Sequence, residues 1–164
     1  MNNLNLSKIY HDNEVTHVIL VPASAKGNYN AIFGTLISVE GHGNAINGKQ
    51  IFVKSNYSIA SGLNLKVSNN YSSAIGVNLT TTNTCEHAVG INNISIPKPS
   101  AVTNPTGIPK AEERSIATLF TIGDGVNAEQ KANALEVKYN GDLYIQNVGG
   151  YNGSNSGEEG VKSI

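Results

Sequence analysis

The chain has 164 residues, the length of one domain or of two small modules. Its formal net charge of -1 leaves no electrostatic excess for holding a polyanion, so nucleic-acid binding is not expected. The 17 glycines and 23 asparagines, against 14% charged and 6% aromatic residues, favour turns and short strands over helices, and the composition predicts an all-β protein.

Residues 1–26 precede the regular part of the chain and include a strand-like stretch from Thr16 to Val21. We expect this segment to attach the protein to a larger particle or to a preceding shaft. It has no apolar region typical of a secretory signal, and its longest apolar run, Val18 to Val21, is too short to span a bilayer. The sequence therefore predicts a protein made in a cytoplasm, without membrane contact.

Residues 27–96 carry an internal repeat. Glycine recurs at a spacing of fourteen residues, and the surrounding segments align without a gap; the glycines are Gly34, Gly48, Gly62, Gly76 and Gly90. Tyrosine recurs five residues before three of them, at Tyr29, Tyr57 and Tyr71. Apolar residues recur two residues before the glycine and three and five residues after it. Alternating apolar positions are typical of a strand with one buried face.

Each unit is predicted to form a strand, a glycine-marked bend, a second strand and a polar turn, which together make one coil of a parallel β-solenoid. Stacked coils place equivalent residues about 4.8 Å apart, so whole columns share a residue type. Because so thin a coil buries few apolar side chains, we expect it to be stable only through self-association. The column before each glycine, including Phe33 and Ile75, is predicted to lie either in that interface or in solvent.

The pattern Asn-Tyr-Ser-x-Ala-x-Gly-x-Asn, clearest at 56–64 and 70–78, resembles the fourteen-residue repeat of YadA-like trimeric adhesin heads, which also occurs in bacteriophage fibre proteins. The resemblance covers residues 28–96. It implies a left-handed parallel β-roll and a homotrimer in which three chains associate around one axis. The second unit departs from the pattern at Gly43, and the fifth departs at Cys85, Glu86 and His87.

Residues 97–110 predict an extended linker, because prolines cannot take part in a regular ladder; they are Pro97, Pro99, Pro105 and Pro109. Residues 111–151 are predicted to form a small β cap or tip, with a strand at 115–122 and a loop or single helical turn at 128–132. Residues 152–164 are predicted to be a flexible tail.

The cap contains a strong hairpin signal at 134–146. A two-residue loop, Asn140-Gly141, would mix polar and apolar residues on each face. A three-residue loop, 139–141, with Gly141 in the left-handed position of a G1 bulge, sets the pairs Val137–Leu143 and Leu135–Ile145. It also places Lys138 opposite Asp142 on the outer face.

The cap has a resemblance of its own. The segment from Leu119 to Gly125, followed by the hairpin, resembles the part that joins such repeats to the self-cleaving chaperone domains of some phage fibre proteins. Only nineteen residues follow Ile145. We therefore expect no protease domain and no autoproteolysis.

No constellation of residues predicts catalysis, a metal site or a cofactor. Cys85 is expected to be a buried, inert thiol. Glu86 and His87 are neighbours on a strand, so they point to opposite faces, and we expect an exposed polar pair. The run Gly123-Asp124-Gly125 lacks the further ligands of a calcium loop and is expected to be a turn.

The sequence thus predicts a non-enzymatic structural protein of a virus particle: a homotrimeric bacteriophage fibre, or a head or tail appendage, that contacts other capsid or tail proteins. An alternative is a receptor- or glycan-binding adhesin module whose tyrosine and asparagine columns recognise a host-surface glycan. An enzyme acting on polysaccharide is disfavoured, because Glu40 and Glu86 are the only acidic residues within 28–96.

Overall fold

A computed structural model describes residues 10–12, 15–19, 23–98 and 108–146. These residues form strands and one short 3-10 helix, Ala111–Glu113. The strands are β1 (Tyr10–Asp12), β2 (Val15–Ile19), β3 (Ala23–Lys26), β4 (Ala31–Glu40), β5 (Ala45–Lys54), β6 (Ile59–Val67), β7 (Ser73–Val77), β8 (Thr80–Thr81), β9 (His87–Ile91), β10 (Thr118–Asp124), β11 (Asn133–Lys138) and β12 (Leu143–Ile145). The all-β fold class is confirmed.

Strands β4, β5, β6, β7 and β9 pair in parallel, and each pair joins residues that are fourteen apart. Gly34 thus lies beside Gly48, and Gly62 beside Gly76. A parallel β-solenoid of about five turns, predicted from the repeat, is confirmed. We number its coils 1 to 5, for residues 28–41, 42–55, 56–69, 70–83 and 84–97.

Each coil turns at two corners where the backbone has a positive φ. One corner holds Tyr29, Gly43, Tyr57, Tyr71 and Cys85, and the other holds Leu36, Gln50, Asn64, Asn78 and Asn92. Non-glycine residues seldom adopt this conformation, and asparagine tolerates it better than most. The two corners are seven residues apart, so a coil consists of two similar half-turns.

The interior of the stack is apolar where the three predicted columns meet. Its members are at most 3% exposed and comprise Ile32, Ile37, Val39, Ile46, Ile51, Val53, Ala60, Leu65, Val67, Ala74, Leu79 and Ala88. Side chains from the two flat sides of each coil face one another here, because alternate residues of a strand point inward. Two of these columns continue with buried polar residues, Thr81 in coil 4 and Asn93 in coil 5.

Buried polar side chains form a column in the interior beside the tyrosine corner, which we call the polar ladder. Its members are Asn30, Asn44, Ser58, Ser72 and Glu86. Asn44 is its best-connected member: Nδ2 donates to the carbonyl oxygen of Ser55 at 2.8 Å and to Asn30 Oδ1 at 3.0 Å. Its Oδ1 accepts a hydrogen bond from the backbone N–H of Ser58 at 3.0 Å. The ladder supplies partners for backbone groups that the bend removes from the regular sheet.

The parallel ladder extends beyond residues 27 and 96, where the repeat predicts the boundaries of the roll. Strands β2 and β3 both pair in parallel with β4. At the other end β10 pairs in parallel with β9 and sets Gly123 beside Gly90. The stack thus recruits neighbouring segments as further rungs, because an uncovered coil would expose a row of unpaired backbone groups.

Antiparallel strands follow at both ends of the stack. Strand β1 pairs with β2 at the start, and β10, β11 and β12 pair in succession at the end. In the β11–β12 pair, Val137 lies opposite Leu143 and Leu135 opposite Ile145, and Gly141 has a φ of 93°. These are the pairs of the three-residue loop.

The side chain of Lys138 differs from its predicted position on the outer face. It is buried, and its Nζ lies 2.6 Å from Glu136 Oε1. Glu136 stands two residues earlier on the same strand and therefore presents its carboxylate on the same side of the sheet. Only the backbone of Lys138 joins Asp142, whose carbonyl oxygen accepts its N–H at 2.9 Å.

Four predicted segments lie wholly or partly outside the described residues. The residues outside are 1–9, 13–14 and 20–22 of the N-terminal segment, 99–107 of the proline-rich linker, 147–151 of the cap and the whole predicted tail, 152–164. Within the described part of the linker, the backbone N–H of Lys98 donates to Asn83 Oδ1 at 2.9 Å, and Pro109 is buried.

Candidate functional site

The five repeat glycines lie beside one another in successive coils. In Gly34, Gly48, Gly62 and Gly76 φ is between 134° and 142°. A Cβ atom on any of them would overlap the carbonyl oxygen of the glycine in the next coil. The same overlap would join Gly90 to Gly123 of β10. This column therefore has no room for a side chain between coils and contributes none to any outer surface.

The tyrosine column is exposed at its corner. The rings of Tyr57 and Tyr71 are stacked with their centroids 5.6 Å apart, and their side chains are 60% and 53% exposed. Gly43 leaves space for the ring of Tyr57, because a Cβ atom at Gly43 would lie 2.6 Å from Tyr57 Cδ1. The column thus presents aromatic surface to solvent along one edge of the stack.

The opposite corner carries an asparagine ladder. Asn64 Nδ2 donates to Asn78 Oδ1 at 2.6 Å, and Asn78 Nδ2 donates to Asn92 Oδ1 at 2.8 Å. Asn92 Nδ2 completes the row by donating to the carbonyl oxygen of Gly125 at 2.7 Å. This row ties coils 3 to 5 to the segment after β10.

One flat side of the stack is apolar on its outer surface, which we call the apolar face; it comprises residues 31, 33 and 35, their equivalents in coils 2 to 5, and 120, 122 and 124 of β10. Its most exposed large side chains are between 38% and 51% exposed and comprise Phe33, Ile59, Leu63, Ile75, Ile91 and Ile122. They form columns rather than isolated residues, since Val89 lies between Ile75 and Ile122 in the sheet. The column before each glycine belongs to this face.

The other flat side, which we call the polar side, comprises residues 38 and 40 and their equivalents. Glu40, Lys54 and Lys66 are exposed there, and Lys54 Nζ lies 3.7 Å from Glu40 Oε2. An exposed pair at this distance contributes little stability. Phe52 and Ile94 are the exposed large apolar side chains on this side. The polar side thus has fewer large, exposed apolar side chains than the apolar face, on which Lys49 and Asp124 are the exposed charged residues.

An open groove of about 400 Å³ runs along the edge between the polar side and the tyrosine corner. Its lining includes Lys26, Lys54, His42, Asn56 and Asn70 from successive coils. Along the groove, residues 28, 42, 56 and 70 form one column in which each backbone N–H donates to the side chain of the next coil. Asn28 donates to His42 Nδ1 at 3.0 Å, His42 to Asn56 Oδ1 at 2.8 Å and Asn56 to Asn70 Oδ1 at 2.8 Å.

Asn83 and Glu86 join the last coil to the cap. Glu86 is completely buried, and its Oε2 accepts hydrogen bonds from the backbone N–H groups of Thr82 at 2.7 Å and Asn83 at 2.8 Å and from Asn83 Nδ2 at 3.1 Å. Asn83 Nδ2 also donates to the carbonyl oxygens of Ile96 at 2.9 Å and Thr118 at 3.1 Å. Burial raises the pKa of Glu86 above its ordinary value of 4.5, although these hydrogen bonds oppose the rise.

The expectation of an exposed pair at Glu86 and His87 is wrong for Glu86. His87 points outward and its Nδ1 lies 2.8 Å from Ser73 Oγ, whereas Glu86 occupies the inner polar ladder above Ser72. Cys85 is partly exposed, not fully buried, because it stands at the positive-φ corner. The hydroxyl of Tyr139 is buried without a hydrogen-bond partner among the described residues, and burial raises its pKa.

The run Gly123-Asp124-Gly125 differs from the expected turn. Gly123 and Asp124 are the last residues of β10, and Gly125 packs against the carbonyl oxygen of Asn92. Across the part of the chain that the structure describes, no three His, Cys, Asp or Glu side chains are grouped as metal ligands. In the same residues no helix has the length and hydropathy needed to cross a bilayer.

Comparison of the chain with known protein families, with curated proteins and with solved structures gives no match.

The groove and the network around Glu86 are not predicted from the sequence. A signal for the groove exists, because Asn28, Asn56 and Asn70 stand six residues before repeat glycines. Their pattern indicates a column but not the direction of its side chains. The network offers no comparable signal, since the carbonyl oxygen of Thr118 reaches Asn83 from 35 residues away.

Proposed function

We propose that this chain is a non-enzymatic structural protein of a virus particle, a homotrimeric bacteriophage fibre or fibre-like appendage of the head or tail. The observation that carries the proposal is the apolar face. It presents six large, exposed apolar side chains between coil 1 and β10 beside the charges of Lys49 and Asp124, whereas the polar side presents two, Phe52 and Ile94, with Glu40, Lys54 and Lys66.

The proposed role of the apolar face is self-association. Leu63, Val77 and Ile91 lie side by side in successive rungs, as do Ile75, Val89 and Ile122. Monomeric soluble proteins rarely expose continuous apolar patches of more than roughly a few hundred Å². Three copies arranged around one axis would bury these columns against each other, and each copy would make the same pair of contacts with its two neighbours. The number three and the left-handed coil are taken from the resemblance to YadA-like heads.

The proposed mechanism is mechanical. Each inner coil is held on both sides by backbone hydrogen bonds to its neighbours, and the trimer adds contacts with two sister chains. Residues 1–26 would connect the stem to the particle or to a preceding shaft. The cap after β9 would form the other end of the stem.

Two experiments test the proposal. Light scattering of the purified chain at micromolar concentration should give three times the mass of one chain, and a monomer would contradict the trimer. Electron microscopy of purified particles with a label at residue 164 should show the label on an appendage. Its absence from particles would contradict the assignment to a virion.

A further inference from the structure

The column at residues 42, 56 and 70 forms a row of unused hydrogen-bond donors. Asn56 Oδ1 and Asn70 Oδ1 each accept a backbone N–H from the coil before, which settles the orientation of both amides. Their Nδ2 groups have no partner among the described residues. His42 Nδ1 also accepts a backbone N–H, so the neutral imidazole carries its proton on Nε2. We call His42 Nε2, Asn56 Nδ2 and Asn70 Nδ2 the donor row.

The surroundings of the donor row favour an anionic ligand. Lys26 and Lys54 line the same groove, and Glu40 is the carboxylate there. Glu40 lies 3.7 Å from Lys54, and Lys26 has no ion-pair partner among the described residues. Hydroxyl groups both donate and accept, whereas a carboxylate only accepts, so a lining dominated by N–H donors matches carboxylates better than hydroxyls.

The row also has the geometry of a site for a linear polymer. Its donors come from successive coils and are therefore spaced by about 4.8 Å along the axis of the stack. Tyr57 and Tyr71, which directly follow Asn56 and Asn70, present stacked and exposed rings along the same corner. Their exposed ring surface adds apolar contact area beside the donor row.

We propose that the donor row, with Lys26, Lys54 and the two tyrosines, binds an acidic glycan extended along the stack. The inference goes beyond the structural role proposed above and does not depend on it. Single-stranded nucleic acid also combines anions with stacking rings, but it carries a phosphate at every nucleotide. A groove with two lysines and one glutamate, on a chain with a formal charge of -1, fits a polymer with sparser charge.

The test uses the full chain on immobilised oligosaccharides that contain uronic or sialic acid units, each presented beside its own methyl ester. The ester retains the sugar and removes the charge. We expect the chain to bind one or more acids at least about tenfold more tightly than their esters. Asn56→Asp retains the Oδ1 that accepts the backbone N–H of His42 and replaces the Nδ2 donor by a carboxylate oxygen. It should weaken binding by about tenfold or more.

Two further variants complete the design. Lys26→Gln removes a cation from the groove and leaves the hydrogen bonds of His42, Asn56 and Asn70 unchanged. It should also weaken binding. Gln50→Glu makes the same exchange of amide for carboxylate at the opposite corner and should leave binding unchanged. Melting temperatures establish that each variant is folded.

Four outcomes would overturn the proposal. The first two are equal binding of acids and esters, and no binding to any acid. The third is wild-type affinity in either Asn56→Asp or Lys26→Gln. The fourth is tighter binding of a single-stranded oligonucleotide than of every acidic glycan. Mass in solution is a separate measurement. A monomer that binds acidic glycans would contradict the fibre and support the donor row, and a trimer that binds none would do the reverse.

Discussion

The carbonyl oxygen of Gly76 lies only 1.8 Å from the position where a Cβ atom on Gly62 would stand. The same relationship recurs between the glycines of successive coils, since each has a φ that side chains seldom adopt and each faces the carbonyl of the next. The coils therefore leave no space for a side chain at this position. A methyl group could be accommodated only if the coils moved apart.

Replacing Gly62 by alanine should lower the free energy of unfolding by about 3 kcal/mol or more, because backbone strain and overlap add together. Gly62→Val should be worse. Urea denaturation measures the change. Gly141→Ala is the matched control, since Gly141 also has a positive φ but has nothing within 4 Å of its missing Cβ; it should cost about 1 kcal/mol. Equal losses in the two variants would show that overlap between coils is unimportant.

Asn44→Leu should destabilise the stack although leucine is similar in size and apolar. The substitution leaves the backbone N–H of Ser58 and the carbonyl oxygen of Ser55 without their partners inside the coil. Each buried unpaired group costs about 1 to 3 kcal/mol, so we expect a loss of about 3 kcal/mol in chemical denaturation. Lys66→Leu, on the exposed polar side, should change stability by less than about 0.5 kcal/mol. A stable Asn44→Leu variant would contradict the role of the polar ladder.

Ile75→Asp should convert the proposed trimer into smaller species, because it places a charge in the middle of the apolar face. Phe52→Asp is the control, as Phe52 is similarly exposed, at 45% against 48%, but stands on the polar side. Light scattering compares the masses of the two variants. If Phe52→Asp dissociated the assembly and Ile75→Asp did not, the chain would associate through the polar side, and the proposed role of the apolar face would be wrong.

Glu86 should make stability depend on pH in the direction opposite to that of an ion-paired carboxylate. Burial raises its pKa in the folded chain above the ordinary 4.5, so the folded state binds this proton more tightly than the unfolded state. The resulting stabilisation is complete below pH 4.5 and is lost as the pH rises through the folded-state pKa. The loss is about 1.4 kcal/mol for each tenfold difference in proton affinity.

The variant Glu86→Gln cannot titrate at this position. The difference in unfolding free energy between the wild type and Glu86→Gln should therefore change between pH 4 and pH 8, with the wild type losing ground as the pH rises. Denaturation curves at several pH values measure it. A difference that stays constant over this range would mean that the carboxyl group has its ordinary pKa in the folded chain.

The fourteen-residue period was sufficient to predict the parallel stack, its interior columns and the position of the glycines. A period shared by Gly34, Gly62, Ile37 and Leu65 at once can be satisfied only when equivalent residues lie beside each other, so sequence spacing alone carried the register. The hairpin pairs around Gly141 followed from turn geometry in the same way, because loop length and alternation are local properties.

Other features needed the tertiary structure. Glu86 stands fourteen residues after Ser72 and so belongs to the column of the inner ladder, but that spacing does not indicate that the backbone N–H groups of Thr82 and Asn83 donate to its carboxylate. The donor row exists because the side-chain oxygens of Asn56 and Asn70 accept backbone N–H groups from the preceding coil, which leaves their side-chain nitrogens without a partner among the described residues. A repeated sequence determines which residues become neighbours in a stack, but the direction of a hydrogen bond depends on the backbone group opposite, and only the folded chain brings that group into place.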